Sequence, residues 1–212
     1  MTSSRQHVIR LTTASALALG AVTSLGTSAH AANVDVPYEC RTYVQGNTHP
    51  VYDYRRGFDV TVPSSVRAGK KFQATYDPAP ITAFAQYNKT VTDVRVAYRI
   101  PDGAKVKKVR LTGGSGLGHS TLKVKVEGKD IVVSASGPFE GGVEFDLPTL
   151  KVVYKAPKAT GTLNFGPGGS SYEKPGFYWY RYQPILDEWG PFQCFPDPAK
   201  PPTVLASTQV KK

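Results

Sequence analysis

Asp93-Val94-Arg95-Val96-Ala97-Tyr98-Arg99-Ile100 decides the fold. Val94, Val96, Tyr98 and Ile100 alternate with Asp93, Arg95, Ala97 and Arg99. A period of two puts alternate side chains on opposite faces of an extended strand, so one face meets a core and the other meets water. Pro101-Asp102-Gly103 then stops the run with turn chemistry. The same alternation recurs on both sides. Upstream, Phe58, Val60 and Val62 alternate with Asp59 and Thr61, and Phe72, Ala74 and Tyr76 with Lys71, Gln73 and Thr75. Downstream come Leu122, Val124 and Val126 against Lys123 and Lys125, then Ile131 and Val133, then Leu150, Val152 and Tyr154 against Lys151 and Lys155, then Leu163 and Phe165.

No segment offers a sustained helical stripe, and Ala68-Gly69 and Gly128 supply turns between runs. Between Val106 and the pair Val109 and Leu111 the apolar parity slips by one, which predicts a β-bulge. Short strands at regular spacing predict an all-β fold, a two-sheet antiparallel immunoglobulin-like sandwich, with a barrel as the alternative.

The ends of the chain read differently. Residues 1–31 have the layout of a secretory signal peptide: basic Arg5, His7 and Arg10, an uncharged run from Leu11 to Leu25, and Ala29-His30-Ala31 as a cleavage site. The expected organisation is therefore a leader at 1–31, a sandwich domain at 32–195 and a disordered proline-rich tail at 196–212, where Pro196, Pro198, Pro201 and Pro202 precede polar residues. Losing the two leader arginines lowers the formal charge from +10 to about +8, so anionic surfaces are the natural partners. No apolar run long enough for a membrane span follows the leader, and a secreted or wall-associated protein is expected.

The chain has 2 cysteines, Cys40 and Cys194. In an exported protein these are expected to form a disulfide, tying the first strand to the last. Neither belongs to a C-x-x-C motif or neighbours a histidine, so neither metal binding nor any cofactor is expected.

Tyr38-Glu39-Cys40, the turn Pro63-Ser64-Ser65-Val66-Arg67-Ala68-Gly69-Lys70, the segment Leu147-Pro148-Thr149-Leu150-Lys151-Val152 and Cys194 together resemble small secreted immunoglobulin-like β-sandwich proteins of actinobacteria. The Cys-Trp-Cys spacing of immunoglobulin domains is absent, since Trp179 and Trp189 both lie near the second cysteine. The resemblance implies export and a sandwich, and carries no catalytic residue to this chain.

Phe177-Tyr178-Trp179-Tyr180-Arg181-Tyr182 is the densest chemical feature. On a strand, Tyr178, Tyr180 and Tyr182 share one face, while Phe177, Trp179 and Arg181 share the other. With Tyr172 and Trp189, the tyrosines would make a ring platform suited to a glycan or an apolar ligand; equally, the aromatics suit a strand packed against the sandwich. Lys105, Lys107, Lys123 and Lys125, with Lys108, Arg110, Lys151 and Lys155, suggest a basic sheet face for an anionic polymer or lipid surface, or a set of charges guarding strand edges. No nucleic-acid motif is present.

Gly113-Gly114-Ser115-Gly116-Leu117-Gly118 lacks the spacing of a phosphate loop or a nucleophile elbow and reads as a loop. Glu144 and Asp146, with Glu140 nearby, admit a glycan hydrolase with a carboxylate pair, or are solvated acids. Asn88-Lys89-Thr90 matches the N-glycosylation triplet. The expectation is a non-enzymatic binding protein of the cell envelope or extracellular space, the alternatives being a hydrolase using Glu144 and Asp146 and a structural envelope component.

Overall fold

A computed structural model describes residues 28–212, with side chains from residue 33 onward. The described chain is all-β. A long hairpin of β1 (Ser28–Val44) and β2 (Asn47–Pro63) leads into β3 (Ser65–Arg67), β4 (Lys71–Pro78), β5 (Ile81–Thr82), β6 (Thr90–Arg99) and β7 (Lys105–Thr112). Next come β8 (Leu122–Glu127), β9 (Asp130–Ala135), β10 (Phe139–Glu140), β11 (Glu144–Phe145), β12 (Thr149–Lys155) and β13 (Gly161–Pro167). The last three are β14 (Phe177–Gln183), β15 (Glu188–Pro196) and β16 (Ala206–Lys211).

The alternation read from the sequence becomes the core. Val94, Val96 and Tyr98 of β6, Phe58, Val60 and Val62 of β2, Ala74 and Tyr76 of β4, and Leu150, Val152 and Tyr154 of β12 are all buried. The Tyr98 ring lies 4.7 Å from Tyr76 and 5.9 Å from Phe58, and Phe165 of β13 packs 5.9 Å from Tyr154. Strands β2, β4 and β12 therefore face β6 and β13 across one apolar interior, giving a β-sandwich. Tyr76 and Tyr154 satisfy each other's buried hydroxyls at 2.8 Å.

The connectivity corrects the expected two separate immunoglobulin-like sheets. One 14-stranded sheet runs β3-β16-β13-β6-β14-β15-β1-β2-β4-β12-β7, with β9 and β10 also on β6, and β8 on β9; only β5 and β11 pair apart. The β1–β2 hairpin is the cause. β15 joins β1 along Tyr38–Thr42, whereas β4 joins β2 along Phe58–Thr61, further along the hairpin. The hairpin thus belongs to both layers. A register shift between Tyr38 and Cys40, with Asp53 at φ 56, bends it on the way. Two of the sheet's edge strands, β7 and β8, approach each other without a hydrogen-bonded ladder, so no ladder closes the sheet into a barrel there.

Cys40 and Cys194 are bonded, and they sit opposite each other in the β1–β15 ladder. The bond joins the first strand to the fifteenth, not to the last. The parity slip near Val106 is a bulge: Val153 faces Lys108 while Tyr154 faces Val106, leaving Lys107 as the extra residue. Pro101-Asp102-Gly103 is a crossover between layers, not a hairpin, because β6 pairs with β9 and β7 with β12.

The expected disordered tail is also corrected. β16 pairs antiparallel with β13 and parallel with β3, burying Ala206, Thr208 and Val210. Thr208 donates its hydroxyl to the Pro63 carbonyl at 2.7 Å. Most of the expected leader lies outside the described residues; its last four, Ser28–Ala31, are described as backbone of β1 opposite Val60–Pro63.

Candidate functional site

β14 lies between β6 and β15, so its two faces point to opposite sides of the sheet. Phe177, Trp179, Arg181 and Gln183 turn inward and are buried. Tyr178, Tyr180 and Tyr182 turn outward, with Tyr180 38% and Trp189 46% exposed. The Tyr180 and Trp189 rings stack at 5.5 Å with planes 14° apart, and Tyr182 lies 5.5 Å from the other side of the pair at 54°. The register explains this row, because Trp189 of β15 stands opposite Tyr182.

Cations border the rings. Arg95 lies 5.0 Å over Tyr178 and the Lys89 ammonium 5.9 Å over Tyr182. A bulge in β6, with Asp93 at φ 50, sets this geometry, and Asp93 accepts the Arg95 Nε hydrogen bond at 3.0 Å. Burial, and then the Asp93 charge, raise the Tyr178 pKa above its ordinary value. Tyr172 extends the same side: its hydroxyl donates to Glu39 at 2.8 Å, its carbonyl accepts from Gln193, and Arg41 covers its ring at 4.2 Å.

The expected basic surface falls on two edge strands. Lys105 and Lys107 lie on edge strand β7, Lys123 and Lys125 on edge strand β8, all exposed, and the two strands are not neighbours in the sheet. The continuous basic face runs instead over β7, β12 and β4. Lys105 stands directly opposite Lys155, which stands opposite Lys71, and Arg110 stands opposite Lys151. Like charges in direct register repel, so the ladder hydrogen bonds and the buried side must hold this face together against them.

Glu144 is exposed on β11, and Asp146 follows it half-buried. Burial, then repulsion from Asp77, raise the Asp146 pKa. The glycine-rich loop lies on this segment: Ser115 pairs with Asp146 in a β-bridge, and a Cβ at Gly116 would come within 2.8 Å of the Glu144 carbonyl. Asn88 of the glycosylation triplet is buried, and its side chain donates to the Phe84 carbonyl at 3.0 Å, which withdraws it from modification.

Sequence reading missed the inner side of β14. There a cleft of about 690 Å³ opens between Trp179 and Arg181 of β14, Arg56 of β2 and the Pro80–Asn88 segment. Arg181 shares a strand face with Phe177 and Trp179, and Arg56 continues the Phe58, Val60, Val62 alternation one step back. The signal was a charged residue in an inward register.

No family model matches the chain, and neither does any curated protein. Among solved structures, a Corynebacterium diphtheriae protein described as membrane anchored is similar at 14% identity and a TM-score of 0.55, covering 85% of this chain and 38% of that one. This chain thus spans well under half the length of that protein. Two cohesin modules also match. One is a non-cellulosomal cohesin from Archaeoglobus fulgidus, at 14% identity, TM-score 0.33, covering 72% of this chain and 91% of that one. The other comes from a family 33 glycoside hydrolase of Clostridium perfringens, at 12% identity, TM-score 0.37, covering 74% of this chain and 95% of that one. The likeness to the Corynebacterium protein is one of fold.

Proposed function

We propose that this chain is a non-enzymatic binding module of the extracellular space or cell surface, taking a glycan with acidic groups on the outer face of β14 and β15. The observation that carries this reading is the exposed Tyr180–Trp189 stack with Tyr182 beside it. Flat rings with polar tips accept the apolar faces of sugars, while Lys89 and Arg95 at the border suit carboxylate or sulfate substituents. The fold likeness to a protein described as membrane anchored supports the cell-surface setting.

Retention of the full chain on insoluble peptidoglycan and on polygalacturonate tests it. Tyr180→Ala and Trp189→Ala should each weaken retention about tenfold, the equivalent of 1.4 kcal/mol. Equal retention of wild type and both variants would discard the ring face as the site.

A second reading rests on the lysine row Lys105, Lys155 and Lys71, which suits an anionic polymer held by charge alone. Replacing Lys105, Lys155 and Lys71 by glutamine should then flatten the salt dependence of retention, whereas a dependence like that of wild type would exclude this row.

A further inference from the structure

We infer that the cleft behind β14 is a second binding site, separate from the ring face, for a small amphipathic organic anion: an oxyanion head on Arg56 and Arg181, and an apolar body between the rings at the mouth. Both arginines are almost fully buried, Arg56 at 6% exposure and Arg181 at 5%. Arg181 donates through Nε at 3.1 Å and Nη2 at 2.7 Å to the Thr42 hydroxyl, and through Nη1 to the Tyr87 carbonyl. Arg56 donates through Nη2 to the Ala79 carbonyl and lies 4.8 Å over the Phe177 ring. These are neutral partners. The carboxylates that feel the two charges, Asp146 for Arg56 and Glu188 for Arg181, make no ion pair with them among the described residues.

Two buried cations without a counterion are costly unless something anionic reaches them. Desolvation by burial lowers the Arg181 pKa and outweighs the opposing pull of Glu188. Two residues that line the cleft also carry buried donors with no acceptor, Arg56 Nε and Trp179 Nε1, so the surroundings are rich in donors and poor in acceptors. Its mouth is apolar and accessible: Tyr52 is 79% and Phe84 77% exposed, with Tyr87 beside them. A volume of about 690 Å³ matches an organic molecule rather than a lone ion. The bulge at Asp53 turns Tyr52 outward at this mouth, and the Asn88 side chain, bonded to the Phe84 carbonyl, braces the opposite lip.

A carboxylate and a phosphate monoester both supply such a head, and decanoate and decyl phosphate separate these sources, with decanol as the uncharged control. Calorimetric titration of the full chain should show saturable one-to-one binding of decanoate, decyl phosphate or both, with decanol at least about tenfold weaker. The tighter-binding anion identifies the head. Arg181→Gln should weaken binding about tenfold or more, and because it alters a buried residue, the exposed double variant Tyr52→Ala/Phe84→Ala provides a test independent of folding. That variant should keep the wild-type melting temperature and bind both anions several-fold more weakly, while Tyr180→Ala and Trp189→Ala should leave binding unchanged. No saturable binding of either anion, equal binding of decanol, or wild-type affinity in the Tyr52→Ala/Phe84→Ala variant would overturn the proposal. Loss of anion binding in Trp189→Ala would move the site to the ring face and overturn it equally.

Discussion

The two faces of β14 are made of similar residues and meet opposite surroundings. On the inner face, Phe177 stacks on Tyr54 at 5.6 Å and Trp179 on Phe192 at 5.0 Å, and Phe177 stands opposite the disulfide-bonded Cys194. On the outer face, Tyr180 and Trp189 stack equally closely, yet both reach solvent. Ring stacking therefore does not distinguish a core from a surface; burial does, because the hydrophobic contribution scales with apolar area removed from water. Residues two apart on one strand thus answer to the same neighbours, and adjacent residues to different ones.

The sharpest way to break this comparison is to remove the bond on the inner side. On the chain-entropy view, opening a loop with a sequence separation of 154 costs about 5 kcal/mol, so Cys40→Ala/Cys194→Ala should lower the urea midpoint far more than any outer-face change. Phe177→Ala should follow at about 3 to 5 kcal/mol, since it empties a fully buried ring site in contact with Tyr54, Trp179 and Phe192. A loss below about 1 kcal/mol in urea unfolding would show that the inner face is not the core described here.

Alkaline titration probes the buried side from another direction. Burial pushes the Tyr54 and Tyr154 hydroxyls up to about 12. Because the folded value lies above the unfolded one, the native state holds protons that the unfolded chain releases. That stability is complete below about pH 10 and is lost as pH rises toward 12 and beyond. Tyrosinate absorbance from these residues should appear only with unfolding; its appearance in folded protein near pH 10 would contradict their burial. The smallest effect belongs to Tyr180→Ala, expected to change unfolding free energy by no more than about 0.5 kcal/mol, as measured by the same urea series.

Much of this arrangement was legible. Strict alternation placed Val94, Val96 and Tyr98 inward, and a one-residue slip located the bulge at Lys107. Strand period put Tyr178, Tyr180 and Tyr182 on one face, but it could not say that this face turns outward. The single sheet was not legible, because alternation reports which face a residue occupies and not which strands share a ladder; the long hairpin spanning both layers has no local signature. β16 was hidden behind four prolines, and its Ala206, Thr208 and Val210 are small enough that burial comes from β13 and β3 rather than from their own hydrophobicity. Arg56 and Arg181 were hidden differently. Each occupies an apolar register, where pattern reading records a core position and ignores the charge it carries.

The opposed lysines across β7, β12 and β4 make the folded state electrically tense. Three ammonium groups stand in line there with no acidic residue paired opposite any of them, so crowding them together on folding opposes the packing beneath. Added salt should relieve that tension, and a polyvalent anion should relieve it more efficiently, so that whatever neutralises this face also raises the melting temperature. A protein so arranged is at its most robust when coated, and its thermal stability becomes a gauge of the polyanions around it.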